Sequence, residues 1–336
     1  MKQTEMSLTA VNDIDFLEEW KMKLIVPDYY EDFACTAGAC KHSCCIGWEI
    51  DIDRATLKFY RSVKGDFGER LRAGIVRQKG EACFRLGEGE RCPFLNENGL
   101  CDIILNLGEE HLSQICTDHP RFCSFYGDRT EIGLGLCCEE AARLLLTRKE
   151  PIRLIVLQDD GKRHRLSEKE QNFFAKRKYI FQQVQNRDLD FITRLEYFIF
   201  DYTKYTYENA LNLLRSLEIM DPKWEQLLAE AEIRPRYNIK KFDEFSIAFE
   251  NLLWYFVYRY TSRLEYSMDE NMDFVLFSVL MIRLLFTGMI AKGKGDMETL
   301  IELCRMYSCE IEYSEENVEK IYRTIKEVFY PLQFSR

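Results

Sequence analysis

The chain has 336 residues, with 46 Lys+Arg against 56 Asp+Glu and a formal charge of −10, a balance without the basic stripe of a nucleic-acid surface. Its length suffices for two domains or one large one, and its thirteen cysteines are more than packing alone requires. Lys2, Glu5, Asp13, Asp15, Glu18 and Glu19 interrupt any apolar run at the start, so no secretory signal is legible and the expectation is a cytoplasmic protein with reduced thiols.

Lys23-Leu24-Ile25-Val26-Pro27 reads as a short strand ended by proline, which lacks a ladder donor. Residues 51–72 set Ala55, Phe59 and Val63 four apart, with Leu57 and Tyr60 between them, which is the pattern of one amphipathic helix. Eleven of the seventeen glycines lie between Gly65 and Gly135, and the rest of this stretch reads as loops and short helices. So loop-rich a segment buries little surface, and a bound metal is one way to cross-link it. Ile152 to Leu157, Asp159-Asp160-Gly161 and Lys162 to Leu166 read as a hairpin, because Asp-Gly supplies the φ > 0 positions of a tight turn. It marks the expected boundary between a cysteine-rich module, residues 1–150, and a second domain, residues 151–336.

That second domain reads as helical throughout. Ser167 and Glu170 form a capping box, and Phe174, Ile180, Phe181 and Val184 line the helix behind it. Asp221-Pro222 starts another helix, residues 242–266 and 272–290 follow as long ones, and Ser314-Glu315-Glu316-Asn317 opens the last. Phe274 to Ala291 approaches the roughly 20 residues a bilayer needs, but Arg283 at its centre would cost about 3 kcal/mol there. It reads as a buried bundle helix, and no membrane association is expected. The aromatic series Phe245, Phe249, Trp254, Tyr255, Phe256, Tyr258 and Tyr260 has helical spacing and reads as bundle core rather than a cage for a methylated amine. The fold class expected is therefore mainly α: a cysteine-rich loop and helix metal module with few short strands, then an all-helical bundle.

Eleven cysteines fall between Cys35 and Cys138. Cys35, Cys40, Cys44 and Cys45 form one local group, Cys92 and Cys101 a second around an Asn98-Gly99 turn, and Cys116 with Cys123 a third. Thiolates so grouped suit tetrahedral zinc or an iron-sulfur cluster, and spacing does not separate the two. The expected ligand set is Cys35, Cys40, Cys44, Cys45, Cys92, Cys101 and Cys116, with His42 a further candidate if the metal is zinc. Adjacent residues on extended backbone point apart, so Cys44 and Cys45 are not expected to face the same ion. Cys304 and Cys309 read as buried thiols.

The motifs Val26-Pro27-Asp28-Tyr29-Tyr30, Cys40-Lys41-His42-Ser43-Cys44-Cys45-Ile46-Gly47-Trp48-Glu49-Ile50-Asp51, Cys92-Pro93-Phe94-Leu95 through Cys101, Cys116-Thr117-Asp118-His119-Pro120-Arg121 and Cys138-Glu139-Glu140-Ala141-Ala142-Arg143 carry a resemblance. They resemble the flagellin lysine-N-methylases, within the broader CxxCxxCC cysteine-cluster proteins. The gaps of four and three between the first cysteines, and Ile104-Leu105-Asn106-Leu107 after Cys-Asp-Ile, depart from the plain cluster proteins. The resemblance implies a [4Fe-4S] cluster, with zinc the alternative, S-adenosylmethionine as methyl donor, and flagellin as the protein substrate. The other reading is a non-catalytic zinc- or iron-binding protein.

The donor site is not legible by itself. Gly133-Leu134-Gly135 is a fragment of a nucleotide-binding turn without an evident βαβ frame. Methyl transfer to lysine requires a neutral amine, hence a base or a desolvating aromatic pocket. Within the cysteine region Glu49, Asp118 and Tyr126 are the catalytic candidates, and Trp48 and His119 the cofactor-binding ones.

Overall fold

The computed structural model describes residues 23–78, 80–161, 165–198, 207–231 and 242–329. Strand β1 (Lys23–Pro27) forms where expected and lies inside a four-stranded sheet of order β4-β5-β1-β6, with β4 at Arg121–Phe125, β5 at Arg129–Leu134 and β6 at Leu154–Gln158. β1 runs parallel to β5, pairing Lys23 with Arg129, and antiparallel to β6. The expected hairpin is therefore half right: its first strand exists, but it pairs with β1. The expected second strand falls partly on residues 162–164, outside the described residues, and Arg165 and Leu166 are not in a strand.

Between β1 and β4 the chain makes a separate small unit. The single helix expected over 51–72 is two, α1 (Arg54–Ser62) and α2 (Gly65–Gly74). Val63 and Lys64 are extended between them, and Gly65 follows at φ +78°. Asp53 caps α1 by accepting from the Thr56 N–H and also accepts from the Gln114 N–H, so one carboxylate fixes two segments. The hairpin β2–β3 (Ile75–Gln78, Glu81–Phe84) and the short helices α3 (Asp102–Leu107) and α4 (Gln114–Asp118) complete the unit. Its core is small: Ile50, Ile52, Tyr60, Leu71, Phe84 and Phe94 at its centre, with Cys92 buried among them and Cys45, Cys101 and Cys116 packed around.

Helix α5 (Glu139–Thr147) leaves the end of β5, and the remainder is helical: α6 (Glu168–Val184), α7 (Phe191–Glu196), α8 (Tyr207–Arg215), α9 (Pro222–Glu230), α10 (Ser246–Tyr260), α11 (Met268–Ala291), α12 (Met297–Tyr307) and α13 (Glu315–Phe329), with a π-turn at Ser308–Glu312. Mainly α is thus the observed class. The Ser167/Glu170 capping box forms, a second one at Ser267/Glu270 opens α11, and Asp221 caps α9 with Pro222 behind it. α6 turns Phe173 rather than Phe174 inward, together with Ile180 and Val184. α11 is long and apolar enough to cross a membrane, and about two thirds of its apolar window is buried inside the protein. The aromatic series of α10 is buried, as expected of core.

This large core takes in Leu134, Leu136, Leu145 and Ile152 as well as the bundle, so it spans residue 150. Three of its buried carboxylates are paired with arginines, while a fourth, Glu310, accepts from the backbone N–H groups of Met220 and Asp221. Glu250 accepts from both Arg187 and Arg194, Glu131 from Arg177, and Glu312 from the Tyr255 hydroxyl with Arg259 at 3.5 Å. The Arg177 guanidinium also lies over the rings of Phe173, Phe174 and Tyr258.

Candidate functional site

The cysteines assemble from three segments held together by backbone bonds. The Cys92 N–H donates to the Cys45 carbonyl at 2.8 Å, Leu95 bridges to Cys101, and the Asn96 side chain accepts from the N–H groups of Asn98 and Leu100. Gly99 closes that turn at φ +71°. Cys116 sits in α4, whose first N–H is tied to Asp53. The outcome is four thiols, Cys45, Cys92, Cys101 and Cys116, each feeling the field of others in the set. Cys44 adjoins them. The chain turns at Ser43–Ile46 instead of running extended, which sets the two thiols beside each other.

That contact, with the Ser43 side chain and Arg91 assisting against burial, lowers the Cys45 thiol to about 7, and Cys44 is raised in return. Burial pushes Cys92 and Cys116 up to about 12 and raises Cys101. A buried thiol without a counter-charge stays protonated, whereas a metal ion supplies the positive charge that releases the proton. The donor set fits a four-thiolate group in number and softness. Among the described residues, however, no three His, Cys, Asp or Glu side chains are drawn close enough to hold a metal ion. The cysteine-rich stretch therefore forms a small core, but the expected metal module is not supported, since the described residues hold no metal site.

Of the remaining expected ligands, Cys40 neighbours Cys138 at the start of α5 and contacts the Glu139 carboxylate, while Cys35 lies between, neighbouring both Cys138 and Cys44. The Lys41 N–H donates to that carboxylate at 3.0 Å, and His42 meets Glu302 of α12 at 3.0 Å, so this loop straps the small unit to the bundle. Cys83 is buried on the far side, against Glu49.

Of the catalytic and cofactor candidates, Trp48 and His119 come together at the edge of the thiol group. The Trp48 indole N–H donates to the Cys44 carbonyl at 2.5 Å, and its ring stands 6.0 Å from that of His119. Asp118 is next to His119 and accepts from Gln114 at 2.8 Å. Burial, and then Arg121, depress His119 to about 4, so its imidazole is neutral at pH 7, and burial raises Asp118. Arg121 is itself spent on the Tyr30 hydroxyl and the Thr117 carbonyl. Glu49 is exposed beside Cys83 and Asp51. Tyr126 is buried against Phe173 and Phe174, a core position.

A second polar group escaped the sequence reading. Gly135, directly after β5, lets the backbone approach Tyr313 and Arg259. A Cβ there would stand 2.8 Å from the Tyr313 hydroxyl and 3.3 Å from Arg259 Nη1, and one on Gly133 would overlap the Phe122 ring. The Gly133-Leu134-Gly135 turn does join a strand to a helix beside a parallel strand, but protein side chains fill the space a nucleotide phosphate would take.

A family profile described as "FliB lysine N-methylase C-terminal domain" matches residues 157–334. The chain is 32% identical over 136 residues to "Lysine-N-methylase" of Salmonella choleraesuis strain SC-B67 and 30% identical over 135 residues to the protein of the same name in Salmonella typhimurium strain LT2. Each alignment covers 38% of this chain and 33% of the relative, so the chain spans about a third of the length of these relatives. With "Flagellar biosynthetic protein FliU" of Salmonella muenchen it shares 32% identity over 136 residues, 38% of this chain and 79% of that protein. No solved structure matches.

Proposed function

Because the chain belongs to the FliB lysine N-methylase C-terminal domain family over residues 157–334, we propose that it is a cytoplasmic protein-lysine N-methyltransferase whose substrate is flagellin. Besides family membership, the observation carrying this reading is the meeting of Trp48 and His119 at the edge of the thiol group, with Asp118 the next residue in the chain. In this reading S-adenosylmethionine supplies an electrophilic methyl group when bound, and Cys45, Cys92, Cys101 and Cys116 hold a [4Fe-4S] cluster that cross-links the small core. The chain's own residues do the rest. Trp48 offers the aromatic face for a cation, and half-buried surroundings depress the pKa of an incoming lysine amine. Asp118, its affinity for a proton raised by burial, accepts that proton. His119, neutral, orients the amine without adding a repelling charge.

The test uses the whole chain purified without oxygen, with flagellin and methyl-labelled S-adenosylmethionine, and mass spectrometry of lysines. Asp118→Asn should lower the methylation rate by about 10² to 10⁴ while leaving iron and acid-labile sulfide content unchanged. Failure of the loaded wild-type protein to methylate flagellin would remove the proposal. The small core itself favours one other reading. Few buried residues surround four thiols, so a metal could serve folding alone, and one or two zinc ions with no sulfide would favour it.

A further inference from the structure

The β5–α5 turn and the π-turn each bring one cysteine to the same place, and neither thiol belongs to the four-thiol group. Cys137 lies two residues beyond Gly135, and Cys309 is the second residue of the π-turn. The Cys309 sulfur stands 4.0 Å from the Cys137 carbonyl oxygen and 3.5 Å from Arg305 Nη1, and the Cys137 sulfur stands 4.0 Å from the Gly135 carbonyl oxygen. The Tyr313 hydroxyl contacts the Cys137 thiol. Both backbones are held: Gly135 is wedged under Tyr313 and Arg259, and Arg305 is anchored by two bonds to Glu302.

We propose that Cys137 and Cys309 are a thiol pair that closes to a disulfide in the presence of a disulfide oxidant, tying the β5–α5 turn to the π-turn. A disulfide needs the two residues side by side, with Cβ atoms about 3.8 Å apart, and the Cys309 sulfur already lies against the backbone of Cys137. π-turns recur where a helix positions a functional group, and this one turns Cys309 out of α12 toward the first half of the chain. Cys304, in contrast, is wholly buried inside the bundle. With glutathione disulfide as oxidant the Cys309 thiolate attacks one sulfur and releases a glutathione thiolate. The Cys137 thiol then loses its proton and displaces the second glutathione. The protein loses two protons and two electrons, and two glutathione thiols are formed.

Cys309 attacks first because Arg305 partly offsets the burial that holds its thiol at about 11, so bridging should accelerate about tenfold per pH unit across neutrality. The bond would join the thiol-bearing half to the helical half across 172 positions of sequence.

The reduced whole chain, purified without oxygen, is treated with glutathione disulfide, quenched by alkylation and digested without reduction for mass spectrometry. The expected product of Cys309 is the peptide bridged to Cys137, forming faster at pH 8.5 than at 7. In Cys137→Ser the bridge is lost and Cys309 is recovered as its glutathione adduct. Recovery of wild-type Cys309 as free alkylated thiol, or bridged to Cys138 or Cys304, overturns the pairing.

Discussion

The large core and the small core handle polarity in opposite ways. In the large one, carboxylates taken out of water are met by guanidinium groups: Glu250 by Arg187 and Arg194, Glu131 by Arg177, Glu312 by Arg259 and Tyr255. Apolar area from a dozen elements surrounds them, and the pairs only have to avoid leaving a charge alone. In the small one, the unusual groups are thiols raised by burial and left without a counter-charge, around a few rings and aliphatic side chains. A core that carries its own counter-ions holds its charges by pairing, whereas the thiols of the small one stay mostly neutral because burial raises them.

The strongest blow to the large core should be Glu250→Ala, which leaves two cations, Arg187 and the buried Arg194, without their acceptor. A loss of about 3–5 kcal/mol in urea unfolding is expected, and a loss under 1 would mean that the pairing contributes little. Phe94→Ala in the small core removes a fully buried ring that meets Phe84 and Phe67, a loss of about 3 kcal/mol. Here the distinction is local. Protease should cut within residues 45–118 while the bundle's circular dichroism persists, and simultaneous loss of both would deny the small unit its independence.

At the junction, His119 titrates near 4 in the folded chain because of burial and Arg121, against about 6.5 unfolded. Between those values the unfolded chain takes a proton that the folded chain refuses. Stability therefore holds above about pH 6.5 and falls as pH drops toward 4, by on the order of 3 kcal/mol. His119→Gln should flatten that part of the profile, and an unchanged profile would count against the depressed value. Gly135→Ala, with its Cβ pressed on the Tyr313 hydroxyl, should cost about 1–3 kcal/mol, read as a lowered Tm. The smallest effect belongs to Lys41→Ala, which breaks an exposed pair with Glu298. No measurable change in Tm is expected, since solvent screens an exposed pair, and a clear loss would promote the strap to a structural joint.

Local signals carried most of what was legible in advance. β1, the box at Ser167/Glu170, the start of α9 at Asp221 and the buried faces of α10 and α11 all rest on neighbours within a turn or two of the chain. The sheet did not show, because β4 and β5 are short, carry Arg121, Arg129, Glu131 and Gly133, and are specified by pairing with one another and with β1. Glu131 looks like a surface residue until Arg177 is placed over it. The cysteine-rich stretch was visible as composition, and the turn at Asn98-Gly99 as a motif. Which thiols share a space was not, since Cys83 faces away, Cys35 and Cys40 go to α5, and Cys137 finds a partner in the π-turn. Trp48 and His119 met as candidates of one site, whereas Tyr126 packs apart from them, against Phe173 and Phe174 of α6.

The adjacency of β1 and β5 has a kinetic consequence. Lys23 pairs with Arg129, so two neighbouring strands are separated by a detour of some hundred residues, and closing a flexible loop of that length costs about 4 kcal/mol. Collapse of the small unit shortens the detour before the strands meet. Refolding of the whole sheet should then be paced by the thiol-bearing unit, and conditions that act only on sulfur would change how fast the helical half reaches its final packing as well as how firmly the small core holds.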